Sequence, residues 1–356
     1  MNGNSSRSWI EIDLRALENN VRKIKAALGG GLTYIAVVKA DAYGHCMPQT
    51  LVSFLKGGAD IFAVANMYEV SRVRELVSST PVLILGPVLS GERRLVFEYD
   101  AIPAISTREE ALDFDTLARE RNKVLNVHVK IDTGMGRFGV WHEKASDFLR
   151  EVSAYKNIRI AGIFTHLSSA DCDKDYTRLQ VQNFERAISG FDKSDLMLHV
   201  HNSAGLKYFS ETAGCNAVRI GLLQYGISPF GDSEPPFANV EPVLSFKARV
   251  SSISETENRR VACVSAGYAD GVPSGFTDCA RVLIGGTRCP VIGNAGLDET
   301  LVDISSAPCT QNGDEVVFIG RQCGEFIDLP SYSKWTRRIP WETMVSIPRR
   351  VERIVV

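Results

Sequence analysis

From residue 34 to residue 221 the sequence repeats one unit: a short run rich in β-branched residues, a turn, and a longer segment. In residues 108–121 and 176–188 the longer segment has apolar side chains at helical spacing. Alternation of strands and helices pairs the strands in parallel through right-handed crossovers. The eight strand-like runs are residues 34–38, 61–65, 82–85, 101–105, 124–131, 158–164, 196–200 and 217–220.

Eight strand–helix units in about 200 residues fit one closed sheet, so we predict an N-terminal (β/α)8 barrel of the TIM type. An open, doubly wound sheet is the alternative fold. The first unit does not open with the GxGxxG pattern that often marks such a sheet in nucleotide-binding proteins, which favours the barrel.

After Gly231 the pattern changes to a Pro-rich stretch, residues 232–236, and then to short strand-like runs separated by Gly, Pro and Asp. We therefore predict a smaller, mainly-β C-terminal domain, with the boundary near residues 232–240. The predicted division is residues 1–235 for the barrel and 236–356 for the second domain. A strand over residues 8–12 is a candidate to cross back and pair with the second domain.

The composition excludes several classes of partner. Forty basic and forty-two acidic side chains leave a net charge of −2, so the sequence has no electrostatic signature of nucleic-acid or anionic-membrane binding. The first residues lack the apolar core of a signal peptide, and no run approaches the ~18 apolar residues of a membrane span. Eight scattered cysteines predict neither a metal site nor a disulfide scaffold. We expect a cytoplasmic protein that recognises a small molecule.

Lys39 follows the apolar run that ends at Val38. Lysine is rarely buried without a partner, and desolvation lowers its pKa toward that of a nucleophilic amine. Lys39 is therefore a candidate to form a Schiff base. Taken alone, a surface lysine just past the end of a strand explains the same pattern.

Polar residues follow several other predicted strands, where a barrel places its active site. Each has an ordinary explanation by itself, but their repeated position at strand ends favours one shared site. They are Lys130, Asp132, Arg137, His166, His199, His201, Asn202, Ser203, Arg219 and Gly221.

The motif VVKADAYGH, residues 37–45, resembles the cofactor-lysine motif VVKANAYGHG of the alanine racemase family. The resemblance implies that Lys39 binds pyridoxal 5'-phosphate covalently and that Tyr43 contacts its phosphate. KIDTGMGRFG, residues 130–139, is similar to that family's KIDTGMGRLG. It implies that Arg137 supports the cofactor hydroxyl and the substrate carboxylate, and that Lys130, often carbamylated in the family, lies behind them.

Three further motifs in the barrel carry the resemblance: THLSSAD at 165–171, HVHNSA at 199–204 and RIGLLQYG at 219–226. They imply that His166 lies beside the pyridine ring, that Arg219 lies opposite the ring nitrogen, and that Ser203 lies near the phosphate. The implied cofactor-binding residues are Lys39, Tyr43, His166, Ser203, Arg219, Gly221, Leu222 and Trp341. The implied supporting residues behind them are Lys130, His199, Asn202 and Asp298.

GYADG, residues 267–271, is identical to the family motif that carries a second acid/base. The resemblance implies that Tyr268 acts together with Lys39 and reaches in from the partner of a homodimer with shared active sites. Without the resemblance, Tyr268 is a packing tyrosine in a glycine-rich turn.

In the first motif Asp41 replaces the commoner Asn of the family and Cys46 its last Gly, and two further motifs also depart from the family pattern. GNAGLD, residues 293–298, stands where the family has GRVCMD, so Asn294 replaces an arginine of the substrate passage and Leu297, an implied substrate contact, replaces a methionine. Trp341 replaces the tyrosine of IPYE, a phosphate ligand at the neck of the entrance. An indole donates a hydrogen bond but cannot accept one. The implied catalytic residues are intact, so these departures bear on the choice of substrate.

The resemblance implies two-base racemisation of a small amino acid, L-alanine to D-alanine, for peptidoglycan precursors. A serine or broad-specificity racemase of the same fold is the nearer alternative, because of Asn294, Leu297 and Trp341. A non-catalytic pyridoxal phosphate carrier is more remote, since a barrel without the Tyr268 domain would be expected. A decarboxylase of this fold would need a cysteine and an acidic partner of the pyridine, and neither is at a matching position.

Overall fold

The computed structural model describes residues 6–212, 214–231, 237–256, 258–276 and 279–356. The strands among them are β1 (Ser8–Ile12), β2 (Thr33–Val37), β3 (Ile61–Val64), β4 (Val82–Ile84), β5 (Ile102–Ile105), β6 (Leu125–Asp132), β7 (Val140–Trp141), β8 (Ile158–Phe164), β9 (Met197–His199), β10 (Ala217–Ile220), β11 (Leu244–Thr256), β12 (Arg259–Val264), β13 (Arg281–Ile284), β14 (Thr287–Ile292), β15 (Thr300–Asp303), β16 (Glu315–Gln322), β17 (Glu325–Ile327) and β18 (Glu352–Val355). The α-helical segments are α1 (Leu14–Leu28), α2 (Lys39–Tyr43), α3 (Met47–Gly57), α4 (Met67–Arg74), α5 (Leu95–Glu98), α6 (Arg108–Glu120), α7 (His142–Ser153), α8 (Lys174–Ala187), α9 (Leu329–Trp335) and α10 (Pro340–Ser346). Short 3-10 helices cover Ser90–Glu92, Gly205–Glu211, Leu222–Tyr225 and Tyr268–Asp270.

Four helices of the barrel region, α1, α4, α6 and α8, begin at a capping side chain. The Asp13 carboxylate accepts the Ala16 N–H at 2.8 Å at the start of α1. At the start of α6, Thr107 and Glu110 cap each other's backbone N–H groups in a capping box. Helix α6 packs on β6 and β8, and α4 packs on β4. The strands β3 and β4 are buried along their whole length. Burial on both faces explains why these strands are continuous apolar runs, IFAV and VLI.

The first sheet is a parallel barrel with the strand order β10-β2-β3-β4-β5-β6-β8-β9, and β7 pairs beside β6. Between β9 and β10 the ring is nearly closed by backbone hydrogen bonds from Arg219 to His201 at 3.0 Å and from Asn216 to Leu198 at 3.2 Å. The predicted barrel is therefore confirmed, and the open-sheet alternative is wrong.

The second sheet belongs to the mainly-β domain and has the order β17-β16-β13-β14-β15-β12-β11-β1-β18. β1 lies antiparallel to β11 and parallel to β18, so it extends the sheet of the second domain. Helices α9 and α10 follow β17 and were not among the predicted elements. Residues 232–236, on which the predicted boundary falls, lie outside the described residues, so that boundary stays a prediction.

The short segment α2, directly after β2, is wound in the left-handed sense. Ala40, Asp41, Ala42 and Tyr43 have φ between 52° and 56°, a region that costs non-glycine residues roughly 1–2 kcal/mol each. Side chains from elsewhere hold this backbone in place. Glu69 Oε1 accepts the Ala40 N–H at 2.6 Å, and Asp41 Oδ1 accepts the Met47 N–H at 2.8 Å. The turn fixes Lys39 and Tyr43 at its two ends.

Cys46, which replaces the last glycine of the family motif, has φ 63° and ψ 90°. We expect Cys46→Gly to stabilise the protein by about 1 kcal/mol, because glycine adopts positive φ without a Cβ clash. The midpoint of urea unfolding measures the change. Cys46→Ala is the matched control, since it removes the thiol but keeps the Cβ. An equal gain in both variants would contradict the explanation by backbone strain.

Candidate active site

A cavity of about 570 Å³ opens at the C-terminal ends of the barrel strands. Its walls combine a few cationic and hydroxyl groups with apolar side chains, the usual character of a small-molecule site. The residues predicted from the sequence that line it are Lys39, Tyr43, Lys130, Arg137, His166, Asn202, Ser203, Arg219, Gly221, Leu222 and Trp341. In the described parts of the chain, no cluster of His, Cys, Asp and Glu is arranged to hold a metal ion.

Lys39 enters the cavity half-buried, at the start of the left-handed turn. Burial lowers its pKa, the nearby Arg137 lowers it further, and Glu69 opposes both effects. Lys130 lies over the Phe138 ring at 3.8 Å, and its pKa falls to about 8 through burial and the same arginine. Both amines therefore lose protons more readily than an exposed lysine does.

Arg137 follows a glycine-rich turn that Asp132 shapes. The Asp132 carboxylate accepts the N–H groups of Gly134, Met135 and Gly136 at 2.8–2.9 Å. This local network, rather than a regular helix or strand, places the guanidinium at the wall of the cavity.

Ser203, Gly221 and Tyr43 in the lining of the cavity provide hydrogen-bond groups suited to an anion. The Ser203 hydroxyl accepts the N–H groups of Gly221 and Leu223 at 3.1 and 3.2 Å. A Cβ added to Gly221 would lie 2.8 Å from the Tyr43 hydroxyl, so glycine keeps this space open. Burial raises the pKa of Tyr43 to about 12, while a side-chain hydrogen bond with Trp341 opposes the shift. The Ser203 oxygen accepts both backbone N–H bonds and can still donate its own proton, so the hydroxyl groups of Ser203 and of the protonated Tyr43 fit a phosphate.

Arg219 lines the cavity and is buried. Its Nη1 lies 2.8 Å from His199 Nδ1, and its Nη2 donates to the Thr165 carbonyl at 2.6 Å and lies 3.5 Å from His166 Nδ1. Burial lowers the pKa of Arg219 to about 9, so it remains charged at neutral pH. Burial and Arg219 together hold the pKa of His166 and His199 well below 6.5. Both histidines are therefore neutral neighbours of a fixed cation.

His128 belongs to this network and was missed in the sequence. Its Nδ1 lies 2.8 Å from His199 Nε2. Because a guanidinium only donates hydrogen bonds, His199 accepts through Nδ1 and donates through Nε2 to His128. The available signal was the position of His128 two residues before Lys130 in β6, which places both side chains on one face of the strand.

Three predicted site residues lie elsewhere on the single chain. Tyr268 and Leu297 are exposed, by 52% and 51%, and do not line the Lys39 cavity among the described residues. The Tyr268 turn is tied to the neighbouring loop by an N–H bond to the Gly296 carbonyl at 2.9 Å. Asp298 closes that loop and pairs with Arg350 at 2.7 Å. These side chains therefore form a separate surface of the second domain.

Comparison with known proteins decides the family. The model "Alanine racemase, N-terminal domain" matches residues 12–229, and "Alanine racemase, C-terminal domain" matches residues 245–355. The chain belongs to the alanine racemase family. The alanine racemase of Halothermothrix orenii is 35% identical over 97% of this chain and 96% of its own length. That of Geobacter sp. strain M21 is 34% identical over 97% of each chain.

Solved structures of alanine racemases share the whole fold. The alanine racemase from E. faecalis superposes with a TM-score of 0.92 at 28% identity, and the match covers 99% of both chains. The Clostridium difficile alanine racemase in complex with cycloserine gives 0.90 at 28% identity, with 99% and 96% covered. A Bartonella henselae alanine racemase with covalently bound pyridoxal phosphate gives 0.89 at 24% identity and supports the fold alone. The family is pyridoxal phosphate-dependent.

No helix within the described ranges is both long and apolar enough to span a membrane.

Proposed function

We propose that this protein interconverts L-alanine and D-alanine with pyridoxal phosphate as cofactor. One observation supports the proposal most strongly. Lys39, whose pKa is lowered, lines the same cavity as the hydrogen-bonded pair Gly221 and Ser203 and the charged Arg219. We further propose that the reaction takes place in the cytoplasm and supplies D-alanine for peptidoglycan precursors.

The residues of the cavity fit the cofactor. Lys39 would bind it covalently, Arg219 and His166 would contact its ring, and Tyr43 and Ser203 would hold its phosphate, with the Gly221 and Leu222 backbone and Trp341 beside them. The bound cofactor supplies an electron sink that acidifies the α-hydrogen of the amino acid. Since Arg219 is a permanent donor, it disfavours a proton on any acceptor atom that faces it.

Two-base racemisation uses one proton carrier on each face of the α-carbon. Lys39 supplies an amine of lowered pKa on one face, and Arg137 beside it offers a guanidinium for the substrate carboxylate. We assign the α-hydrogen of D-alanine to Lys39 and that of L-alanine to the hydroxyl of Tyr268, as the family resemblance implies. Because Tyr268 is exposed and lies outside the cavity of its own chain, we propose that it enters the cavity of a second copy in a homodimer.

Mixing two inactive variants tests the shared site. In a mixed dimer of Lys39→Ala and Tyr268→Phe chains, one composite site has both proton carriers and the other has neither. Random exchange makes half of the dimers mixed, so we expect activity to return to roughly a quarter of the wild-type value. Subunit exchange is verified separately by native mass spectrometry of a tagged chain. Demonstrated exchange without recovery of activity would contradict the shared site.

A broad-specificity or serine racemase is the second candidate function, favoured by Trp341 at the cavity wall and by Asn294 and Leu297 on the second domain. An assay coupled to D-amino-acid oxidase, with L-alanine, L-serine and L-lysine compared at equal concentration, separates the two. We expect L-alanine to give the largest kcat/KM. A larger value for serine would replace the proposed substrate but keep the reaction class, whereas no turnover of any of them would overturn the function.

A further inference from the structure

Four charged side chains connect the two ends of the chain to the turn that carries Tyr268. Arg7 Nη2 lies 2.5 Å from Asp270 Oδ2, and Arg350 Nε lies 3.0 Å from Asp270 Oδ1. The same two arginines contact Asp298 Oδ1, at 3.5 Å from Arg7 and 2.7 Å from Arg350. Each of the two carboxylates therefore contacts both guanidinium groups. These four residues, Arg7, Asp270, Asp298 and Arg350, are called the cluster below.

The sheet of the second domain brings the two arginines together. β1 and β18 are adjacent parallel strands, with Trp9 opposite Glu352. Arg7 directly precedes β1, and Arg350 comes shortly before β18, so both leave the same end of the sheet. The cluster is therefore a product of strand pairing rather than of two long side chains that meet by chance.

Asp270 is the buried centre of this cluster. Its side chain is 2% exposed, whereas those of Arg7 and Arg350 are 45% and 46% exposed. The carboxylate also accepts the Gly267 N–H at 3.0 Å, which closes the turn over Tyr268. A buried carboxylate is unfavourable without cationic partners. The two arginines therefore determine whether Asp270 can stay in the position that closes the turn.

The cluster also joins this turn to the loop that carries Leu297. The N–H groups of Tyr268 and Ala269 donate to the carbonyls of Gly296 and Leu297, both at 2.9 Å. Asp298, the next residue of the loop, receives the second contact of each arginine. Turn and loop are thus held as one unit, although the Tyr268 side chain itself is exposed and little packed.

We propose that Arg7 and Arg350 are positioning residues for Tyr268, acting through Asp270 and Asp298. The proposal rests on the proposed function, in which the Tyr268 hydroxyl carries one of the two protons. An exposed side chain is placed by its backbone, and the backbone of this turn is anchored by the cluster. Removing contacts of the cluster should therefore slow proton transfer at the face of the α-carbon that Tyr268 serves. Proton transfer at the face that Lys39 serves should not change.

The test compares the two faces in the holoenzyme. With Arg7→Gln, exchange of the α-hydrogen of L-alanine with solvent deuterium should fall by at least roughly ten-fold, part of the loss typical of a misplaced acid/base group. Exchange of D-alanine should stay within about two-fold of wild type, because Lys39 is untouched. Arg7→Lys keeps the charge and should recover most of the L-alanine exchange. Amide hydrogen exchange of residues 267–271 should accelerate in Arg7→Gln and not in Arg7→Lys.

Arg178→Gln is the matched control on the barrel. Arg178 binds Glu211 with two contacts of 2.7 and 2.9 Å, and the two side chains are 42% and 39% exposed, similar to the arginines of the cluster. This pair lies apart from both proton carriers. We expect neither the L-alanine nor the D-alanine exchange rate to change.

Equal loss of exchange for both enantiomers in Arg7→Gln, or no loss for either, would overturn the positioning role. Should Arg7→Gln fail to fold, Asp298→Asn keeps both contacts of Asp270 and replaces one carboxylate, and it should show a smaller loss confined to L-alanine. Failure of the proposed function gives another pattern, because Tyr268→Phe would then leave L-alanine exchange unchanged whatever the arginine variants do.

Discussion

Lys39→Ala is expected to have no measurable racemase activity. Lys39 is the amine that enters the cavity directly after β2, and burial and Arg137 lower its pKa. Alanine removes both the covalent attachment and one of the two proton carriers. Wild-type protein supplied with pyridoxal phosphate should be yellow, and borohydride should fix the cofactor to the peptide that contains Lys39. In the variant the colour should be lost on gel filtration.

Two further variants show whether the amine itself is required. Lys56→Ala removes an exposed lysine at the end of α3 and should leave activity and colour unchanged. Lys39→Arg keeps the positive charge but cannot supply a neutral amine, so it should be as inactive as Lys39→Ala. A reduced peptide that carries the cofactor on another lysine would contradict the assignment.

Tyr268→Phe should lower racemisation by roughly 10²- to 10⁴-fold, the usual effect of losing a positioned acid/base group. The loss should be unequal when the two faces are measured separately. Exchange of the α-hydrogen of L-alanine with solvent deuterium should fall with the overall rate, whereas that of D-alanine should largely persist through Lys39. Proton NMR of each enantiomer in deuterated buffer measures both rates.

Tyr68→Phe provides the matched control for Tyr268→Phe. Tyr68 is a 65%-exposed tyrosine of α4 and should tolerate loss of its hydroxyl with neither exchange rate changed. Equal slowing of both enantiomers in Tyr268→Phe would show that one base serves both faces. The equilibrium constant between the enantiomers stays at one in every variant, since they are mirror images.

The barrel and the cavity could be predicted because strands that are buried on both faces appear in the sequence as continuous apolar runs. Runs such as 61–65 and 82–85 overlap β3 and β4. Most of the polar residues after the strands line one cavity, because parallel strands end at the same face. The family motifs then gave individual residues their expected roles. Those roles stay predictions until variants are measured.

The left-handed turn after Lys39 could not be predicted from its own residues. Ala40 and Ala42 favour right-handed helix, and the opposite hand is held by tertiary hydrogen bonds such as that from Ala40 to Glu69. His128 was missed for a similar reason, since its partner His199 lies on another strand. The proposed entry of Tyr268 into the cavity of a second chain depends on assembly, on which the local residue pattern of one chain carries no information.

The position of β1 in the second sheet has a consequence for synthesis. The ribosome makes β1 before any other strand described above, yet its partners are β11, where Ile12 pairs with Leu244, and β18, where Trp9 pairs with Glu352. During synthesis β1 therefore has no pairing partner until β11 has been made, and its second partner, β18, is made last. A fragment cut between the two domains would contain the sheet without its β1 strand. The C-terminal domain should accordingly fold only when the N-terminal segment is supplied with it.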